Sequence, residues 1–344
     1  MRKNKLIISD VTLRDGNHAV GHKINKEIIK NYCLEAEKSN LEIIEVGHGN
    51  GLGASSLSIG RSSISDEKAL ETARKNLKRT KLSIHSIPGF SRIDDLKMAI
   101  DCGVDIFRIG TNATEINTLN SQIEFCHKNN LETWGVMMMA HLVYNDEKDY
   151  LKQIKHLVDL GIKTVIIMDS AGIFLPNDIE DIFTNIKKNF KITLGFHGHN
   201  NFGCAVWNSV VAYKNGANII DSSIKGFGAG AGNTQLDVLI TILERLNIKT
   251  NIRIDNLYNL AKKFPLLLKK NKIEFEKPFS EPKNIMSANY GLFSGFASKV
   301  DYFSEKFKLD DIEAFRSIGK KRLVAGQEDL IFNILLNLKN KIKL

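Results

Sequence analysis

Eight apolar runs alternate along this chain with eight segments of helical spacing, and that alternation limits the folds open to it. The runs cover roughly 6–13, 41–48, 81–88, 104–110, 132–140, 163–169, 191–197 and 217–224, and most are nearly continuous in Ile and Val. A strand buried on both faces of a parallel sheet has that composition. Asn25 and Ser65-Asp66-Glu67 are helix starts, while Gly103, Leu160-Gly161 and Asn215-Gly216 are stops. Eight strand–helix units over about 245 residues match the size of a TIM barrel. A doubly wound open sheet predicts a glycine fingerprint after the first strand, and Arg14-Asp15-Gly16-Asn17-His18 is not one. From about residue 250 the alternation stops. The tail is rich in Lys and Leu at helical spacing, and Pro265, Pro278 and Pro282 are expected to punctuate it. The expected architecture is therefore a (β/α)8 barrel over 1–248 and a helical C-terminal domain over 249–344.

Composition removes other classes. Hydrophobic content of 43% and charged content of 25% are ordinary for a soluble globular chain. The net charge of +9 raises the question of nucleic acid. The lysines, however, are dispersed over helix faces beside Glu and Asp, with no recognition helix and no basic–aromatic alternation. No nucleic-acid partner is expected. No apolar run approaches the ~20 residues of a membrane span. The charged start of the chain does not read as a signal peptide, and four cysteines without a C-x-x-C pair point to reduced thiols, hence a cytoplasmic protein.

In a barrel, function sits where strands end and the following loops begin. Those ends read Arg14-Asp15, Gly47-His48-Gly49-Asn50, His85-Ser86, Arg108, Met139-Ala140-His141, Asp169-Ser170, His197-Gly198-His199 and Ser222-Ser223. His197 and His199, two apart on a strand, point to one face. With Asp15 they make an open set of two imidazoles and a carboxylate, which leaves metal positions for substrate and water. Arg14 offers a fixed fork for a carboxylate or enolate oxygen, and His18 offers a base near neutral pH. The small-residue run Gly226 to Asn233 lets backbone approach a ligand, but it lacks the Lys-Ser/Thr of a P-loop.

Together, Asp10 to His18, Ile44 to Gly49, Asp169-Ser170, His197 to Asn201, Gly226 to Asn233, Tyr290 and Gly326 to Asp329 resemble the 4-hydroxy-2-oxovalerate aldolases. These are a branch of the HMG-CoA-lyase-like metal barrels. The resemblance runs over essentially the whole chain. It implies Mn²⁺-dependent retro-aldol cleavage of a 4-hydroxy-2-oxo acid, such as 4-hydroxy-2-oxopentanoate, to pyruvate and an aldehyde; Mg²⁺ or Co²⁺ are alternative ions. It also implies an acylating acetaldehyde dehydrogenase as partner, to which the aldehyde is channelled. In residues, it implies Asp15, His197 and His199 as metal ligands, Arg14 for the enolate and His18 as the base, with His22 and His48 as rivals. Tyr290 would reach over the barrel mouth, and Ser170 would meet the pyruvate carboxylate. Departures are Asn50 for Asp, Ala171 for Gly, and His85-Ser86 where leucines usually line the pocket. An inward His85 would favour a polar or longer aldehyde over acetaldehyde. An acyl-CoA lyase or synthase of the same superfamily, of HMG-CoA lyase or homocitrate synthase type, is the alternative. Against it, 226–233 contains no Cys.

Overall fold

The computed structural model describes residues 5–275 and 281–342. Pro278 lies outside them. Eight parallel strands close into a barrel in chain order. They are β1 (Ile7–Asp10), β2 (Ile43–Glu45), β3 (Lys81–Ser86), β4 (Ile106–Asn112), β5 (Glu132–Met138), β6 (Thr164–Asp169), β7 (Thr193–Gly198) and β8 (Ala217–Ser222). β8 pairs back onto β1, with Ile7 opposite Ile219 and Asp10 opposite Ser222. Each expected run supplies one strand, and each strand is followed by a helix packed outside it, from Lys26–Lys38 after β1 to Leu236–Arg245 after β8. The Asn25 and Ser65 side chains accept from Ile28 N and Lys68 N and so cap the first two helices.

Strand ends move where side chains capture backbone. The first run was expected to 13 but ends at Asp10, whose carboxylate accepts the Thr12 N–H at 2.9 Å. That bond turns the chain into the short 3-10 segment Asp15–Val20, which carries Asp15 and His18.

The barrel interior follows period-two alternation. Ile7, Ile43, Ile106, Trp134 and Ile219 form an apolar interior cluster. Two residues further along, β1, β2, β4 and β8 carry Ser9, Glu45, Arg108 and Asp221, all buried. An apolar floor thus supports a charged layer just below the strand ends.

The helix Ile254–Lys270 turns Leu257, Leu260, Phe264 and Leu268 into the barrel's outer core, so it packs with the barrel although it follows residue 248. Pro265 sits inside this helix and does not end it. An interior proline costs ~3 kcal/mol, which four buried apolar side chains at ~1.5–3 kcal/mol each outweigh. Beyond it, the helices Pro282–Asn289, Ala297–Phe307, Asp311–Gly319 and Glu328–Ile342 form a second cluster around Phe296, Val300, Phe315, Ile331 and Leu335. Met139, at the end of β5, belongs to that cluster and joins the tail to the barrel mouth. No helix among the described residues is long and apolar enough to cross a membrane.

Candidate metal centre and active site

Asp15, His197 and His199 converge at the strand ends. The Nε2 atoms of His197 and His199 lie 3.3 Å apart, and each is 3.8 Å from Asp15 Oδ2. All three residues are buried, and Asp15 Oδ2 has no hydrogen-bond partner among the described residues. Lone pairs facing one another in a dry site need a cation between them, and two imidazoles with one carboxylate fit a divalent ion with open positions.

The other nitrogen of each histidine is fixed. His197 Nδ1–H donates to Asp221 Oδ2 at 3.0 Å, and His199 Nδ1–H donates to the Ala229 carbonyl at 3.3 Å. Both hold Nε2 as the free lone pair, as metal-binding imidazoles require. The glycine-rich run therefore serves the site through Ala229. Burial lowers the His199 imidazole to about 4 despite Asp15 nearby. Burial alone would raise the Asp15 carboxyl, but Arg14 and the imidazoles of His199, His197 and His18 hold it well below the usual carboxylate range.

Arg14 is clamped. Its Nε donates to Glu45 Oε1, and its Nη1 donates to Asp15 Oδ1 at 3.2 Å and to the Gly49 carbonyl at 3.1 Å. Its Nη2 is buried without a partner among the described residues, so one donor is left over for a ligand. Arg108 ties this group to the metal side. Its Nη1 meets Glu45 Oε2 at 2.9 Å, and its Nη2 meets Asp221. Glu45 and Asp221 thus share one buried guanidinium, and between them they orient Arg14 and His197. No role had been expected for these three. The signal available was a single charge inside each of the three strands β2, β4 and β8.

His18 lies 4.0 Å from Asp15 Oδ1 through its Nε2. Burial pushes its imidazole down against the pull of Asp15. A Cβ at Gly49 would come within 2.4 Å of His18 Nε2, so only glycine leaves the ring its place. The rivals are engaged elsewhere. His22 and His48 stack at 3.6 Å, His48 Nε2–H donates to the Gly60 carbonyl, and the Gly49 N–H meets His22 Nδ1. Burial, with His18 adding to it, lowers both, His22 to about 2 and His48 to about 4. They pack behind His18, whose ring also meets Phe293 of the tail at 6.3 Å.

The remaining expected residues divide. Ser170 acts as a clamp: its hydroxyl accepts the Met139 N–H at 3.0 Å, and its carbonyl accepts from the Ser294 N–H and hydroxyl. Tyr290 follows the helix Pro282–Asn289, and its ring lies 5.9 Å from the Arg316 guanidinium. The backbone beside it does reach the mouth, where the Gly291 carbonyl accepts from His141 Nε2–H at 3.1 Å. His85 faces the interior with Ile87, whereas Ser86 Oγ points away and pairs with Ser91 and Gln122. Burial, then Arg14, Arg108 and His197, holds the His85 imidazole neutral. A cavity of about 590 Å³ opens above His18 between Lys23 and Gly228 of the barrel and Lys283, Asn284 and Ser294 of the tail.

Residues 5–263 match the HMGL-like family. A 4-hydroxy-2-oxovalerate aldolase of Pectobacterium atrosepticum is 39% identical over 98% of this chain and 96% of that protein. One of Spirochaeta aurantia is 41% identical over 98% and 97%. The chain belongs to the 4-hydroxy-2-oxovalerate aldolase family. It is accordingly an enzyme, a carbon–carbon lyase on an HMGL-like TIM barrel. Residues 278–340 match the DmpG-like communication domain. The carboxyl transferase domain of Rhizobium etli pyruvate carboxylase, solved with pyruvate and biocytin, aligns with a TM-score of 0.83. That alignment covers 99% of this chain and 61% of that one at 12% identity, a likeness of fold alone.

Proposed function

We propose that this enzyme cleaves 4-hydroxy-2-oxopentanoate, or a close 4-hydroxy-2-oxo acid, to pyruvate and an aldehyde, acetaldehyde in the parent case. The observation that carries the reading is the meeting of an open Asp15-His197-His199 set with a clamped Arg14 and a neutral His18. Mn²⁺ is the ion proposed for Asp15, His197 and His199; held there, it would supply Lewis-acid stabilisation of the negative charge that develops on the 2-oxo acid. The protein residues do the rest. Arg14 Nη2, buried and unpartnered, is the preorganised donor for the oxygen that becomes negative as the C3–C4 bond breaks. His18 takes the 4-hydroxyl proton. The C4 oxygen becomes the aldehyde carbonyl, and the bonding pair passes to C3, which is protonated to give pyruvate. Gly228–Gly230 of the barrel and Asn284 and Ser294 of the tail line the cavity beside His18, walls that would limit the water reaching the enolate.

The communication domain supports a second protein, an acylating acetaldehyde dehydrogenase that receives the aldehyde directly. The apolar residues beyond 250 that could dock such a partner are partly interior. Leu268, Ile331 and Leu335 are buried, while Leu266 and Phe332 remain exposed. The free thiols fit a cytoplasmic setting. The test is pyruvate release measured with a coupled dehydrogenase, without coenzyme A, before and after chelation. Activity should vanish with chelator and return with Mn²⁺. Full activity in metal-free protein refutes the metal role, and release only with an acyl-CoA substrate favours the lyase alternative.

A further inference from the structure

We infer that His85 selects an aldehyde fragment bearing a hydroxyl next to its carbonyl, so the substrate is a 4,5-dihydroxy-2-oxo acid in preference to the simple 4-hydroxy acid. The inference rests on the aldolase reading and names the substrate class of that site. His85 is 1% exposed, yet its Nδ1 has no partner among the described residues. A buried polar atom left unpaired is destabilising, and a folded chain keeps one where a ligand completes it.

Three observations place it. His85 stands on β3 opposite Arg108 of β4, and Ile87, two residues on, belongs to the interior cluster, so its ring points into the barrel. A Cβ at Gly110, on the neighbouring strand, would come within 2.6 Å of His85 Cε1, so the missing side chain is what makes room for the imidazole. The groups acting on it are Arg14, Arg108, His197 and Asp15, which belong to the proposed enolate and metal site.

Its position also fits one end of the substrate. The ketone and carboxylate belong to the metal and to Arg14. Past the end of β3, Ile87 and Phe90 share one apolar cluster with Ala325 of the communication domain. The aldehyde half therefore lies toward the tail, and His85 borders that half. An uncharged imidazole carries one N–H and one lone pair, so a hydroxyl, donor and acceptor at once, complements it and a methyl group does not. Ser86, turned outward onto Gln122, adds nothing to this wall.

The chemistry is unchanged. In the condensation direction, pyruvate C3 loses a proton and bonds to the aldehyde carbon, whose oxygen takes a proton to become the 4-hydroxyl. Glycolaldehyde gives 4,5-dihydroxy-2-oxopentanoate, and its own hydroxyl survives as the 5-hydroxyl. The test measures kcat/KM for glycolaldehyde and acetaldehyde with pyruvate and Mn²⁺ in the parent enzyme, His85→Leu and His85→Gln. The parent should favour glycolaldehyde by about tenfold or more. Leu should lower that ratio by about tenfold or more, and Gln, which keeps a donor and an acceptor, should hold most of it. A parent that favours acetaldehyde, or a ratio unmoved in His85→Leu, overturns the inference while leaving the aldolase reading intact. A parent that condenses neither aldehyde overturns both. If His85→Leu does not fold, the parent and Gln ratios still decide.

Discussion

Replacing Asp221 by Asn separates orientation of a metal ligand from ligation itself. Asp221 is buried, accepts from His197 Nδ1 at 3.0 Å and pairs with Arg108. Asn keeps the volume and removes the charge. Its amide can offer the ring an oxygen, a weaker acceptor, or an NH2, which puts the ring proton on Nε2 and takes away the lone pair that faces Asp15. Loss of such a partner costs ~10–100-fold in metal affinity, or about 1.4–2.7 kcal/mol. Arg108 keeps Glu45 at 2.9 Å, so the stability loss should fall short of the ~3–5 kcal/mol of a wholly stranded buried charge. Calorimetric titration of stripped protein with Mn²⁺, beside urea unfolding of the metal-free form, reads the two effects apart. A folded Asp221→Asn protein that binds Mn²⁺ within about twofold of the parent would refute the orienting role.

Three further outcomes follow from the site. His18→Ala should lower kcat by ~10²–10⁴-fold with pyruvate binding retained; near-normal turnover would move the base elsewhere. Arg14→Lys should lower kcat by ~10²-fold or more while Mn²⁺ affinity changes little, because an ammonium cannot hold Glu45, Asp15 and the Gly49 carbonyl and still present a free donor; equal losses in both would count against the enolate role. Burial lowers His141 to about 4 while its bond to the Gly291 carbonyl pulls the other way. Its folded value lies below its unfolded value, so the unfolded chain binds more protons, and stability held above pH ~6.5 is lost as pH falls toward about 4. Urea midpoints across that window should fall less steeply in His141→Gln, and parallel slopes would show that His141 does not report the joint between barrel and tail.

The barrel was legible because its strands are buried on both faces, which leaves long Ile/Val runs. Their ends were less so: Asp10 closes β1 early through a bond to Thr12 that no periodicity reports. The triad was legible because His197 and His199 share a strand face and Asp15 follows a strand. Glu45, Arg108 and Asp221 were not, since their meaning lies in a mutual contact across β2, β4 and β8. Pro265 does not punctuate the tail, because the buried face of its helix offsets the local cost of the ring. Tyr290 was expected at the mouth, but only the backbone beside it is held there, and its ring pairs with Arg316 on the tail.

The shared guanidinium of Arg108 constrains how this enzyme can drift. Glu45 and Asp221 each neutralise it in part, and each steers a different catalytic element. A change at any one of the three leaves a charge in a dry interior with only part of its compensation, so single steps are costly. Concerted changes, an acid lost together with the arginine, are cheaper than the sum of their parts, because residues in one network do not contribute additively. The interior of the barrel is therefore open to paired substitution and nearly closed to single ones. A lineage that crossed that barrier would carry altered enolate binding and altered metal binding at once.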